Sequence, residues 1–247
     1  MTPYYKIKEP IVYHVYEMEY PISMQVPAYR AIFKASGKFY DGIIREDKKV
    51  KDYVAQAKLK NQKYGLYHFL LPNNISGQMD CFTRTIDSVG GIGHMPPIID
   101  VECYPSQFGV SRETWAYQIK TSLDTLEKRY GEKPMIYTSA NFWSYVAVNG
   151  LWNVNDYPLW TALYPRPATY VDSVNEPYPL PKGWVKWAMW QYAEDGRTQG
   201  YLWNDLNVVS NRFKIYLDSK WGETITPTPK KFPYSITIND KTYKEAQ

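Results

Sequence analysis

Short runs of β-branched and aromatic residues recur along this chain, and several pairs of them are separated by segments with helical spacing. No other feature constrains the fold as strongly. Residues 11–16, 29–35, 64–70, 96–102, 133–138, 159–164, 187–192 and 205–208 read as strands. Between them, Val50, Tyr53, Val54, Ala57 and Leu59 recur among lysines at near-helical spacing, which predicts a surface helix over 48–62. A second, weaker helical pattern covers 76–89 and ends at Gly90-Gly91. Ser111 is placed to cap a long amphipathic helix whose Trp115, Ile119, Leu123, Leu126 and Tyr130 form one stripe, and Gly131 is placed to end it. Residues 141–148 read as a short helix. About eight strands with helices between several of them predict an α/β fold, a single barrel of the TIM type, rather than a sandwich or a bundle.

With 247 residues, 44% of them hydrophobic, the chain is long enough for one well-filled core. That core is expected over residues 1–222. A loop with five prolines between Pro165 and Pro181 interrupts it. Residues 223–247 begin as a Pro/Thr-rich linker and are too few for a second core. Twenty-nine Lys and Arg against 25 Asp and Glu leave a net charge of +4, too small and too dispersed to predict a nucleic-acid partner. No stretch approaches the ~18 apolar residues of a membrane span. The N-terminus lacks the apolar core and cleavage site of a secretory signal, so a soluble protein is expected. Cys81 and Cys103 read as two free, buried thiols.

Asp100 and Glu102 close an apolar run and stand two residues apart. In a strand their side chains would share a face, about 6.5 Å apart along the chain. Mutual repulsion would raise one pKa and keep a carboxylic acid protonated near neutral pH. An ordinary solvated pair at a strand end has the same pattern. Asp205 adds a third acid beside the last predicted strand, although Asn204-Asp205 also suits a turn. Gln191 and Asn207 are amides near the same expected rim, able to bind sugar hydroxyls or to close a turn. His14, His68 and His94 show no paired metal-ligand spacing, and the cysteines form no CxxC, so neither metal nor cofactor is expected. There is no nucleophile elbow, P-loop or dinucleotide fingerprint. Two or three acids beside an aromatic fraction of 17% make the kit of a glycosidase.

Seven segments in order resemble glycoside hydrolase family 25, the Chalaropsis-type lysozymes found among phage endolysins and bacterial autolysins. They are Phe33-Lys34-Ala35-Ser36-Gly37, Tyr64-Gly65-Leu66-Tyr67-His68-Phe69, Pro97-Ile98-Ile99-Asp100-Val101-Glu102, Pro134-Met135-Ile136-Tyr137-Thr138, Leu159-Trp160-Thr161-Ala162-Leu163-Tyr164, Trp190-Gln191-Tyr192 and Asp205-Leu206-Asn207. The resemblance implies a flattened (β/α) barrel that cleaves the β-1,4 bond between N-acetylmuramic acid and N-acetylglucosamine in bacterial peptidoglycan. It implies Glu102 as general acid, and Asp100 as the carboxylate that steadies positive charge or orients the substrate's N-acetyl group. It also implies Asp205 as a positioning acid, with Tyr67, Tyr137, Trp160 and Trp190 lining the groove. Action at the bacterial cell wall is expected, by a phage-encoded protein or one secreted by a route the sequence does not encode. A wall-binding or assembly partner is expected at the C-terminal tail.

The family usually carries an Asp on its first strand in a Gly-Ile-Asp-Val-Ser context. Here the corresponding run is Val12-Tyr13-His14-Val15-Tyr16, which puts His14 at that position as a substrate-binding candidate, with Glu17 and Glu19 nearby. Two readings follow: a divergent enzyme with a rebuilt first strand, or a glycan-binding or structural protein on the same barrel.

Overall fold

The computed structural model describes residues 30–148, 150–164, 177–198 and 201–221, together with three short strands at 11–15, 235–238 and 241–244. For 11–15, 195–198, 201–204 and the two C-terminal strands only the backbone is described. The elements run β1 (Ile11–Val15), β2 (Arg30–Lys38), β3 (Ile44–Glu46), α1 (Val50–Leu59), β4 (Tyr64–Phe69), α2 (Ile75–Ser88), β5 (Ile98–Asp100), α3 (Arg112–Tyr130), β6 (Met135–Ser139), α4 (Ala140–Trp143), β7 (Leu159–Ala162), β8 (Met189–Thr198), β9 (Tyr201–Val209), α5 (Asn211–Trp221), β10 (Ser235–Ile238) and β11 (Lys241–Lys244). Short 3-10 turns cover Pro105–Phe108 and Val154–Asp156.

The result is a mixed α/β fold around one curled sheet. Strands β1, β2, β4, β5, β6, β7 and β8 pair in parallel, each with the next. β9 runs antiparallel to both β8 and β1, so the pairings return to their start through eight strands. The reversal at β9 follows from its direct hairpin connection to β8. A parallel neighbour would need a crossover of a dozen or more residues, and only two separate these strands. β3 pairs antiparallel with the end of β2, and β10 pairs antiparallel with the end of β8 while carrying β11 on its other side.

Alternation along the strands sorts side chains into two apolar clusters. Ala31, Phe33, Leu66, Ile99, Ile136, Leu159 and Val208 face outward against the helices, where Val54, Phe82, Ile86, Trp115, Ile119 and Leu123 cover them. Ile32, Tyr67, Ile98, Met135, Tyr137, Trp160 and Met189 face the interior. The expected α3 stripe is real: Trp115, Ile119, Leu123 and Leu126 are all fully buried, each contributing on the order of 1.5–3 kcal/mol of burial. Its Ser111 hydroxyl accepts from the Thr114 amide at 3.1 Å, and Gly131 ends it at φ +68.

Sequence expectations change in detail. The strand expected over 96–102 is confined to Ile98–Asp100, which leaves Glu102 just beyond its end. The helix expected over 141–148 is a single turn, capped by the Ser139 hydroxyl. β3 had no signal, because a three-residue strand is too short to display alternation. Cys81 and Cys103 are free and buried, as expected. The Pro/Thr-rich stretch from Thr224 to Lys231, most of the proline loop, and Tyr16, Glu17 and Glu19 lie outside the described residues.

Candidate active site

The parallel strands deliver their last residues to one end of the sheet, and the register shows which of them meet. Lys34 of β2 pairs with Tyr67 of β4, and Phe69 pairs with Asp100 of β5. Asp100 pairs with Tyr137 of β6, and Tyr137 with Trp160 of β7. Ala162 pairs with Gln191 of β8, and Gln191 with Asn207 of β9. Asp205, two residues before Asn207, lies across from His14 of β1, whose other neighbour is Ile32. Five separate strands therefore bring Asp100, Tyr137, Trp160, Gln191 and Asn207 around one interior space, with the backbone of His14 on its rim beside Asp205.

Asp100 is 4% exposed, whereas Glu102 and Asp205 are half-buried. Burial pushes the Asp100 carboxyl well above the usual carboxylate range. The adjacent Glu102 carboxylate adds to the rise and shares a side-chain hydrogen bond with it, and the Lys34 ammonium opposes it. The two acids form a coupled pair that holds on to a proton, with the inner member screened from water and the outer one open to it. Among the described residues Asp100 Oδ1 has no hydrogen-bond partner. Lys34 lies 4.6 Å from the centre of the Phe39 ring and 5.1 Å from that of Phe69, which fixes its charge near the pair.

The interior walls are aromatic and amide. The Tyr137 hydroxyl donates to Gln191 Oε1, and Trp160 Nε1 donates to Asn207 Oδ1 at 2.7 Å. The Tyr137 and Trp160 rings meet edge to face at 4.4 Å. Burial pushes the hydroxyls of Tyr67 and Tyr137 well up, with the acids Asp100, Asp205 and Glu102 adding to both, so they remain neutral donors. Tyr67, Tyr137 and Trp160 are at most 3% exposed and make a floor rather than open stacking surfaces. Gln191 and Asn207, which the sequence left undecided between sugar binding and turn closure, hold that floor together.

Trp190 does not join this group. Its neighbour Gln191 takes the interior side, and alternation sends Trp190 into the outer cluster. There its ring meets Trp187 at 6.4 Å and its Nε1 donates to the Leu163 carbonyl at 2.6 Å. His68 likewise faces outward from Tyr67. It is fully buried, with Nδ1 against the Ser36 hydroxyl at 2.8 Å and Nε2 against Gln78 Oε1 at 3.2 Å.

Sequence reasoning missed the exposed aromatic rim. Tyr104 follows Glu102 by two residues, and its ring meets Phe142 at 5.2 Å and Tyr145 at 4.9 Å. Tyr164, 44% exposed, has its hydroxyl raised by burial and then by Glu194, Asp205 and Glu102, which places it among the acids. Tyr164 was visible in the β7 motif, but nothing marked it as rim rather than strand. Among the described residues no group of three His, Cys, Asp or Glu could hold a metal ion, and no helix is long and apolar enough to cross a membrane.

The profile of Glycosyl hydrolases family 25 matches residues 22–201, almost three quarters of the chain. This chain belongs to glycosyl hydrolase family 25. The matched span contains Asp100, Glu102 and every aromatic wall residue, and ends four residues before Asp205. Among proteins of similar sequence is the uncharacterized protein YegX of Escherichia coli O6:H1, 28% identical over 137 residues. That alignment covers 55% of this chain and 43% of YegX, so the chain spans less than half of that relative. Solved structures share this fold. The spore cortex lytic enzyme SleM of Clostridium perfringens has a TM-score of 0.68 at 23% identity, over 81% of this chain and 67% of SleM. A family 25 glycosyl hydrolase from Bacillus anthracis has a TM-score of 0.66 at 20% identity, over 87% of this chain and 96% of that one.

Proposed function

We propose that this chain is a peptidoglycan muramidase, cleaving the β-1,4 bond between N-acetylmuramic acid and N-acetylglucosamine at the bacterial wall. The observation that carries the reading is the carboxyl pair: a buried Asp100 whose proton is held tightly, hydrogen-bonded to a half-exposed Glu102 at the open end of the strands. The eight-strand circuit supports a flattened (β/α) barrel of TIM type, a fold whose catalytic groups sit at this end. Residues 1–222 would form that barrel, and 223–247, whose β10 extends the sheet beside β8, would be a C-terminal extension able to meet a wall-binding or assembly partner.

Glu102 faces the groove and donates its proton to the glycosidic oxygen as the C1–O bond breaks. The acetamido oxygen of the substrate closes on C1, and the ionised Asp100 carboxylate accepts a hydrogen bond from the acetamido N–H as the ring becomes positive. Asp100 is costly as an anion in the free site, and the positive charge that develops at C1 removes that cost only in the transition state. Water then opens the ring, giving its proton to the Glu102 carboxylate. Substrate covering Glu102 excludes water and draws the shared proton from Asp100 to Glu102 across their hydrogen bond, so that Glu102 starts protonated and Asp100 ionised. Asp205, Tyr67 and Tyr137 position the sugar from the other strands.

A second reading, a glycan-binding or structural protein without turnover, is favoured by one observation: His14 occupies the β1 register position across from Asp205. Clearing of several wall preparations and release of reducing ends by wild type, Glu102→Gln and His14→Asp separate the two. The muramidase reading requires release by wild type and its loss in Glu102→Gln. A folded wild type that releases nothing, with release appearing in His14→Asp, would establish the second reading instead.

A further inference from the structure

Three exposed large apolar side chains among the described residues, Leu59 on α1, Tyr117 on α3 and Ile215 on α5, lie on helices. Tyr40 does not. It sits at the tip of the β2–β3 hairpin, is 69% exposed, and nevertheless stacks on Phe108 with ring centres 5.9 Å apart and planes 26° from parallel. Phe69 meets the same ring at 6.4 Å, and Phe69 is the register partner of Asp100. Burial, followed by Cys103, Glu102 and Asp100, raises the Tyr40 hydroxyl, which is consistent with its place beside the acid pair.

Both turns that supply these rings are fixed. The Gly42 amide donates to Phe39 O at 2.8 Å with Gly42 at φ +80, a conformation that favours glycine. Asp41 accepts from the Ile43 amide at 2.9 Å and from Arg45 Nη1 at 2.8 Å, and the Arg45 guanidinium lies 3.8 Å from the Phe39 ring centre. Phe108 ends a 3-10 turn closed by Gly109 at φ +66, and its carbonyl accepts from Asn73 Nδ2 at 3.4 Å. Two hydrogen-bonded turns from distant parts of the chain thus bring Tyr40 and Phe108 together beside Phe69, the strand neighbour of Asp100. A flat amphipathic ring in that position suits the C–H face of a sugar.

We propose that Tyr40, backed by Phe108, is an outer glycan subsite that stacks on the pyranose ring of an N-acetylhexosamine beyond the two flanking the scissile bond. The subsite rests on the muramidase reading, because a glycan strand crossing Glu102 continues along this wall. The test uses the full chain carrying Glu102→Gln, which prevents turnover. Calorimetric titration compares the disaccharide and the tetrasaccharide of alternating N-acetylglucosamine and N-acetylmuramic acid. Tyr40→Ala is expected to weaken the tetrasaccharide by about tenfold and the disaccharide by less than about twofold, with Tyr40→Phe close to its parent for both. Phe108→Ala should shift the tetrasaccharide in the same direction, and melting curves check that each variant is folded. Equal tetrasaccharide affinity in Tyr40→Ala and its parent overturns the subsite alone, as does an equal loss for both sugars. A parent that binds neither sugar overturns the subsite and the muramidase reading together.

Discussion

Tyr67 and His68 are neighbours on β4, both buried and both polar, and they sit in opposite kinds of surroundings. His68 faces the helices, where its polar contacts close. Gln78 Oε1 accepts from the Leu71 amide, so His68 Nε2 is its second donor and Nδ1 accepts from Ser36, while Gln78 Nε2 donates to the Leu71 and Asn73 carbonyls. Burial depresses His68 to about 4, so it remains a neutral strut that ties β2 and β4 to the loop before α2. Tyr67 faces the interior, where Asp100, Asp205 and Glu102 crowd around it and Asp100 keeps an oxygen without a partner among the described residues. A buried polar network with its bonds made is structure. One that holds several acids near each other stores an electrostatic cost that a cationic transition state can relieve.

That contrast is open to breakage from either side. The largest effect belongs to the interior: Asp100→Asn should cost about 10² or more in rate while raising stability at pH 7, by about 2–4 °C for each kcal/mol regained. Because the native pKa is raised, the carboxyl favours folding at pH below its unfolded value and loses that contribution as pH rises. The gain in Asp100→Asn should therefore vanish near pH 3.8 and below. Melting curves across pH check this, and a variant less stable than wild type at pH 7 would refute the electrostatic cost.

His68 carries the opposite sign. Its depressed pKa means that stability present above pH 6.5 is lost as pH falls toward 4, by about 3 kcal/mol at most. Replacing His68 with Gln should flatten denaturant midpoints across that window, and an unchanged slope would show that the histidine protonates without unfolding. Gln78→Leu leaves the Leu71 amide and the His68 N–H without acceptors and should cost about 2 kcal/mol, with turnover per folded molecule little changed. Comparable losses of turnover and stability would merge the two regions. The smallest contrast is Trp190→Phe against Trp160→Phe. Each removes one N–H bond worth about 1 kcal/mol, but only the second takes a donor from Asn207 Oδ1 in the interior, so only it should lower the rate.

Much of the architecture was legible because it rests on local periodicity. Helix α3 with its Ser111 cap and Gly131 end, and most of the strand positions, follow from spacing that each segment carries by itself. The outward place of Trp190 was not legible for a definite reason: alternation gives two faces without saying which is interior, and Trp190 and Gln191 swap roles if that choice is reversed. Nor does the sequence distinguish an aromatic floor, such as Trp160, from an aromatic rim, such as Tyr40.

By itself, then, the sequence determined an α/β chain of family 25 type with Asp100 and Glu102 together near one strand end. Two residues of separation constrain their distance whatever the rest of the chain does. Only the tertiary structure decided that Asp100 is sealed while Glu102 stays open, that Gln191 and Asn207 lock the floor, and that Tyr40 reaches Phe108. Burial and cross-strand register come from residues far apart in the chain, and the pKa of a carboxyl follows what surrounds it rather than its neighbours in sequence.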